Sequence, residues 1–167
     1  MAPVSKFGSS DIPLLEAFIL EAWKLVGASA LGWTGATNEN IREISSKDFL
    51  RGMVENPDLT VFVDKAGEEI LGFCALRKIK NTLVELAGIV VRQDYIGRGI
   101  GSALFEKAKA AAVESGFTAM LVKTESANDR ALSFYKEKGF IEQKTVIEKL
   151  NNRKVSLTVM KLNLPKT

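Results

Sequence analysis

The stretch Val91-Arg92-Gln93-Asp94-Tyr95-Ile96-Gly97-Arg98-Gly99-Ile100-Gly101-Ser102-Ala103-Leu104 sets three glycines between a β-like run and a helix. Upstream, Leu83 to Val91 is apolar and β-branched. Downstream, Gly101 to Ser115 carries Leu104, Phe105, Ala108, Ala112 and Val113 at helical spacing. A glycine turn from strand into helix leaves backbone N–H groups uncovered at the positive end of the helix dipole. That is a ready site for a phosphate or diphosphate. Glycine suits any tight strand-to-helix turn, so a purely structural turn stays open on this evidence alone.

Working outward, the order of elements follows from period and punctuation. Val4 to Phe7 reads as a short strand. Ser9, Ser10 and Asp11 offer capping chemistry, and Pro13 falls in the first helical turn, where a missing N–H costs nothing. Leu14, Leu15, Phe18, Ile19, Ala22, Trp23 and Val26 then predict an amphipathic helix over 12–27. Ala28 to Thr37 is glycine-punctuated, lacks periodicity and carries Trp33. Asn38 to Ile44 and Ser46 to Glu55 read as a broken second helix closed by Asn56-Pro57. Leu59 to Val63 and Ile70 to Ile79 form a hairpin across Lys65-Ala66-Gly67-Glu68. A third strand runs from Thr82 to Val91, where Gly88 marks a bulge or a splayed point. Beyond the glycine helix, ended by Gly116, come a strand from Thr118 to Lys123 and a helix from Asn128 to Lys138, stopped by Gly139. A closing hairpin, Phe140 to Ile147 and Val155 to Leu162, turns at Asn151-Asn152. The predicted order is β-α-α-β-β-β-α-β-α-β-β, an α/β chain with a mixed sheet, forming one domain over residues 1–167.

Composition removes whole classes of chemistry. The 167 residues include no histidine, which excludes Ser-His-Asp and Cys-His catalysis, histidine zinc sites and histidine proton shuttles. Acid–base work falls to Glu, Asp, Tyr, Lys, water or the backbone, and no metal site is expected. The lone cysteine, Cys74, forbids an internal disulfide and reads as a small buried hydrophobe. Met1 to Ser10 lacks the basic and apolar regions of a secretory signal, and no apolar run approaches the about 20 residues of a membrane span. The expectation is a cytoplasmic protein with no membrane partner. Residues 1–80 hold 9 Lys and Arg against 11 Asp and Glu, a balance of −2; residues 81–167 hold 14 against 9, or +5. The basic half carries the glycine turn, as an anionic ligand there would favour. A solvated basic face accounts for the imbalance equally well. No basic run with interleaved aromatics points to nucleic acid.

Two motifs together resemble the GCN5-related N-acetyltransferase (GNAT) superfamily. The first is the stretch from Val91 to Leu104, similar to the family's acyl-CoA diphosphate loop with its Arg/Gln-x-x-Gly-x-Gly/Ala core. The second is Asn128-Asp129-Arg130-Ala131-Leu132-Ser133-Phe134-Tyr135-Lys136-Glu137-Lys138-Gly139-Phe140. It resembles the family's Asn-x-x-Ala-x-x-Phe-Tyr-x-x-x-Gly-Phe helix. In topology the resemblance spans nearly the whole chain. This sequence departs from it at Ile96, where Arg or Gln is usual, and at Gln93, where proline is common. A nearby Arg98 offers a replacement charge.

The resemblance implies acetyl-CoA as co-substrate and transfer of its acetyl group to a primary amine, directly within a ternary complex. It assigns the N–H groups of Ile96, Gly97, Arg98, Gly99, Ile100, Gly101 and Ser102 to the diphosphate. The backbone of Ile89, Val90 and Val91 would pair with the pantetheine arm like an added strand. Asn128 and Tyr135 stand seven residues apart, two helical turns, on one face. Asn128 would bind the pantetheine amide or serve as a plain N-cap; Tyr135 would act as general acid toward the coenzyme A thiolate, or pack in the core with no catalytic role. Glu85, in an otherwise apolar strand, stands where the family often carries its base, and is equally a half-exposed strand residue. Trp33 falls in the segment that shapes the family's acceptor pocket, or packs in the core. A small-molecule or peptide amine is the expected partner, and a homodimer is left open. The rival reading is a non-catalytic acyl-CoA-binding sensor on the same fold. A P-loop kinase-like protein is excluded, because no Gly-Lys-Ser/Thr follows the glycines.

Overall fold

A computed structural model of the chain describes residues 3–26, 41–150 and 153–165. The elements, in chain order, are β1 Ser5–Lys6, α1 Ile12–Val26, α2 Ile41–Ile44, α3 Lys47–Glu55, β2 Leu59–Ala66, β3 Glu69–Lys80 and β4 Leu83–Val91. There follow α4 Ile100–Glu114, β5 Ala119–Glu125, α5 Asp129–Glu137, β6 Ile141–Leu150 and β7 Arg153–Asn163. This is the expected α/β order, with boundaries moved by one to three residues. The predicted turn across 65–68 shortens to Gly67-Glu68, so β2 and β3 gain a longer ladder.

All seven strands join one sheet in the order β1-β2-β3-β4-β5-β7-β6. Every neighbouring pair is antiparallel except β4 and β5. Parallel strands need a crossover, and α4 supplies it. One sheet face packs on α1 and α3 through Leu15, Phe18, Ile19, Leu50 and Phe73. On the other, Leu104, Phe105, Ala108 and Ala112 of α4 meet Leu86, Met120, Val122 and Met160. Burying side chains such as Leu104 and Phe105 contributes about 1.5–3 kcal/mol each.

Two irregularities in β4 matter for function. Ala75 pairs with Gly88 but Leu76 pairs with Leu86, so Ala87 is the extra residue of a β-bulge. The bulge reverses the alternation: Val84 and Leu86 face α4, Ala87 and Val90 face α1, then Ile89 and Val91 face α4 again. The β4–β5 ladder also stops early. It covers only Leu83–Leu86 against Ala119–Val122, and the two strands part beyond it.

Candidate active site

The parted strands open a cleft of about 630 Å³, within the range of small-ligand sites. One end is the glycine turn. Gly97 and Gly99 hold φ of 83° and 85°, and Gly99, the N-cap of α4, adopts the left-handed conformation that a Cβ penalises. The first three N–H groups of α4, those of Ile100, Gly101 and Ser102, have no i−4 partner within the helix and open on the cleft. No acidic residue lies in the first turn to compete for the helix dipole. Gly72 of β3 lets this end close up. A Cβ there would stand 2.8 Å from the Val90 carbonyl oxygen and 3.1 Å from both Ile100 Cγ2 and Leu104 Cδ1.

The loop narrows the predicted cradle. The Ile96 N–H donates to the Gln93 carbonyl at 3.3 Å and that of Arg98 to the Tyr95 carbonyl at 3.4 Å. The donors facing the cleft are therefore Gly97 and the residues from Gly99 to Ser102. The Arg98 guanidinium lies 4.7 Å from the centre of the Tyr95 ring and outside the cleft wall. Arg92 approaches the same ring at 5.6 Å. It also pairs with Glu69 at 3.0 Å, Asp94 at 2.9 Å and Glu21 of α1 at 3.6 Å, bracing the loop from behind.

Of the residues singled out in the sequence, Ile89, Val90, Val91, Ile96, Gly97, Gly99, Ile100, Gly101, Ser102, Asn128 and Tyr135 all line this one cleft. Asn128 is the N-cap of α5. Its Oδ1 accepts from the Ala131 N–H at 3.1 Å, leaving the amide NH2 free of that role. Tyr135, 6% exposed, packs edge-on against Phe134 and Phe140. Burial pushes its phenol well above the ordinary range, so it stays protonated and is a hydrogen-bond donor.

Glu85 does not join them. It is buried, and cross-strand pairing sets it opposite Arg77. There its Oε2 accepts from Arg77 Nε at 2.9 Å and contacts the second guanidinium nitrogen. The expected base is thus held as the partner of a neighbouring strand's arginine, outside the cleft wall. Trp33 lies outside the described residues. Cys74 is fully buried, its thiol 3.6 Å from the Leu104 carbonyl oxygen. Burial pushes the thiol up to about 12, which removes the thiolate that covalent catalysis needs.

Sequence reasoning missed Gln93, Tyr95, Lys123, Thr124, Arg130 and Phe134, which also line the cleft. Lys123 and Thr124 follow directly on the last β5 residue that pairs with β4, so they flank the split level with Ala87 and Gly88. Lys123 Nζ lies 2.7 Å from Glu148 Oε1 of β6, across the intervening β7, and both side chains are about one-third exposed, at 35% and 36%. Exposed pairs of this kind are worth about 0–1 kcal/mol. Among the described residues, the charged side chains on the cleft wall are Lys123, which is paired with Glu148, and Arg130; the Arg130 charge suits an anionic ligand.

Among the described residues, no group of His, Cys, Asp or Glu is arranged to hold a metal ion, and no helix is long and apolar enough to cross a membrane.

A glycine-capped helix thus stands at one end of the split, and a buried tyrosine lines the same cleft. A model described as "Acetyltransferase (GNAT) family" matches residues 28–140, more than half of the chain, and the chain belongs to that family. Solved structures share the fold at low identity. The ribosomal-protein-alanine N-acetyltransferase from Brucella melitensis superposes with a TM-score of 0.79 at 18% identity, covering 98% of this chain and 100% of that one. The paia N-acetyltransferase from Thermoplasma acidophilum, in complex with coenzyme A, gives 0.74 at 23% identity, covering 98% and 99%. The ribosomal-protein-S18-alanine N-acetyltransferase from Escherichia coli gives 0.71 at 16%, covering 100% and 96%. No curated protein matches the sequence.

Proposed function

We propose that this protein transfers the acetyl group of acetyl-CoA to a primary amine by direct attack in a ternary complex. The observation that carries the reading is the cleft that runs from the N–H groups of α4 to Tyr135 along the unpaired edge of β4. Acetyl-CoA supplies an activated thioester. The chain's part is to hold it, exclude water and stabilise the departing sulfur.

For holding, the donors of Gly97, Gly99, Ile100, Gly101 and Ser102 take the diphosphate, with Arg130 on the cleft wall adding charge. The free edge of β4 at Ile89, Val90 and Val91 takes the pantetheine amides as an added strand would. The Asn128 NH2 donates to a pantetheine carbonyl while its Oδ1 caps α5. Tyr135, kept neutral by burial, hydrogen-bonds the thiolate; its high pKa makes hydrogen bonding the larger contribution, ahead of full proton transfer.

The acceptor must lose a proton before attack. An amine of pKa about 10.4 is charged at pH 7, and reaching its neutral form costs about 4.6 kcal/mol. With Glu85 engaged by Arg77, that proton leaves by way of water, and the rate should climb toward the amine pKa. Covalent transfer through Cys74 is disfavoured by its burial and raised pKa.

The test is a melting curve with and without millimolar coenzyme A, followed by mass-spectrometric detection of acetylated products over amine classes. An unchanged Tm would sink the acetyl-CoA reading. A shifted Tm with no acetylated amine would favour the sensor instead.

A further inference from the structure

The acetyl-CoA reading fixes which end of the cleft the acceptor must reach, and the inference drawn here rests on that reading. The diphosphate end is the glycine turn, which follows β4 in the chain. An arm laid along β4 from that turn passes Val91, then Ile89, and brings its thioester to the Gly88 end of the split. The β4–β5 register makes that end level with Lys123, and Lys123 lines the cleft there. Its ammonium is not alone: Glu148 holds it at 2.7 Å.

The pairing also fixes on which face this happens. Lys123 is registered opposite Val159, and Glu148 opposite Val155, two alternations further along β7. Both charges therefore stand on one face, opposite to the face where Val122 and Met160 meet α4. On that face, beside the split, the structure presents one positive and one negative charge, side by side and partly solvated.

We propose that the Lys123–Glu148 pair is the acceptor subsite and that it selects a zwitterion, an amine carrying a neighbouring carboxylate as in a free α-amino acid. Lys123 takes the carboxylate and Glu148 takes the ammonium. A partly exposed pair contributes little to stability, so exchanging it for two substrate charges of matching sign is nearly neutral. A diamine or polyamine meets the opposite situation. Its second cation meets the Lys123 ammonium where a zwitterion would offer its carboxylate. A peptide N-terminus offers the ammonium without the carboxylate and leaves Lys123 unpaired. Complementary charges of this kind act mainly through discrimination between acceptors.

The experiment compares acetylation of α-amino acids with that of the matching amides and of the matching decarboxylated amines, at saturating acetyl-CoA. The free acids should exceed both analogues in kcat/KM by about tenfold to a hundredfold, the value of one hydrogen bond to a charged group. Lys123→Met should erase that ratio by lowering the acids alone, and Glu148→Gln should raise KM for acids and amines alike. Amides or simple amines that match or exceed the acids in the wild type would overturn the assignment, as would an unchanged ratio in Lys123→Met. The coenzyme A-induced rise in Tm is recorded in parallel for all three proteins. Its absence from the wild type sinks the acetyl-CoA reading itself. Its presence with no preference for acids sinks only the zwitterion subsite.

Discussion

Gly101 and Gly99 occupy neighbouring positions at the helix start, and replacing them should separate binding from folding. At Gly101 a Cβ would meet Val91 Cγ2 at 3.6 Å, Phe134 Cε2 at 3.8 Å and Ile89 Cγ2 at 3.9 Å. These are ordinary contacts, and the backbone there is helical. Gly101→Ala should therefore gain about 0.5–1 kcal/mol of helix propensity and melt level with the wild type or up to about 4 °C higher, at about 2–4 °C per kcal/mol for a domain of this size. Gly99 is the reverse case. Its Cβ would meet nothing within 4 Å, but φ is +85°, so Gly99→Ala should cost about 1–2 kcal/mol and lower Tm by about 2–8 °C. Binding follows different rules. Gly101→Asp sets a carboxylate among the donors; at about 5 Å from the two charges of a diphosphate it costs about 1.7 kcal/mol even at the dielectric constant of water. That is about fifteenfold to twentyfold in Kd. Scanning calorimetry with and without coenzyme A reads both quantities, since ligand at 100 times Kd adds about 2.7 kcal/mol to the wild type. Wild-type affinity in Gly101→Asp would remove the start of α4 from the diphosphate site. A Tm several degrees low in Gly101→Ala would refute the packing just described.

Tyr135→Phe keeps the buried ring and loses the hydroxyl, so kcat should fall with little change in the acetyl-CoA KM; because burial raises the phenol's pKa, the wild-type profile should show no falling limb from this group below about pH 10, and such a limb would exclude the proposed donor. Gly72→Ala drives a Cβ to 2.8 Å from a backbone oxygen that cannot swing aside, and should cost about 1–3 kcal/mol, read by denaturant titration; an unchanged midpoint would show that β3 and β4 are further apart than described. Asp64 is 1% exposed, and its Oδ1 has no hydrogen-bond partner among the described residues. Burial raises its pKa in the folded state, so its stabilising influence is present below the unfolded value of 3.8 and is lost as pH rises through the folded pKa. Asp64→Asn should accordingly melt above the wild type at pH 7, with the gap closing toward pH 4, and parallel Tm curves for the two proteins would contradict this.

Much of this was legible in the chain because it is local. Period and punctuation gave the order of elements, and the glycine spacing and the Asn128…Tyr135 helix gave most of one wall of the cleft. What stayed hidden depends on strand order. The last two strands form a hairpin, as their sequence implies, yet it is β7, the second of them, that docks on β5. This insertion brings Glu148 to Lys123 from 25 residues away, and no spacing rule announces it. The surroundings of Glu85 stayed hidden for a related reason. Its partner could not be read from the strand itself, because Arg77 comes from the adjoining strand through a register that a bulge has altered. Gly88 did signal the irregularity; the extra residue is Ala87, next to it.

The bulge and the early end of the β4–β5 ladder share a physical logic. A strand whose backbone groups lack a partner is a liability at the rim of a sheet and a greater one in its middle, where water is scarce. Here β4 is the fourth of seven strands, and from Gly88 to Val91 it has a partner on the β3 side alone. Such an edge is tolerable only where something polar and extended can complete it. Phe105 of α4 supports α5 beside the split, its ring centre 6.4 Å from that of Phe134 and 5.9 Å from that of Phe140. Filling that support should matter as much as any group on the cleft wall. Phe105→Ala would remove a fully buried ring, at a cost of about 3–5 kcal/mol, and α5 would be free to settle toward β4. If the open edge is the functional device, coenzyme A affinity should then fall by more than the loss of stability explains at temperatures where the variant is still folded. Affinity equal to the wild type under those conditions would mean that the split is held by the strands themselves, and that the aromatic support serves folding only.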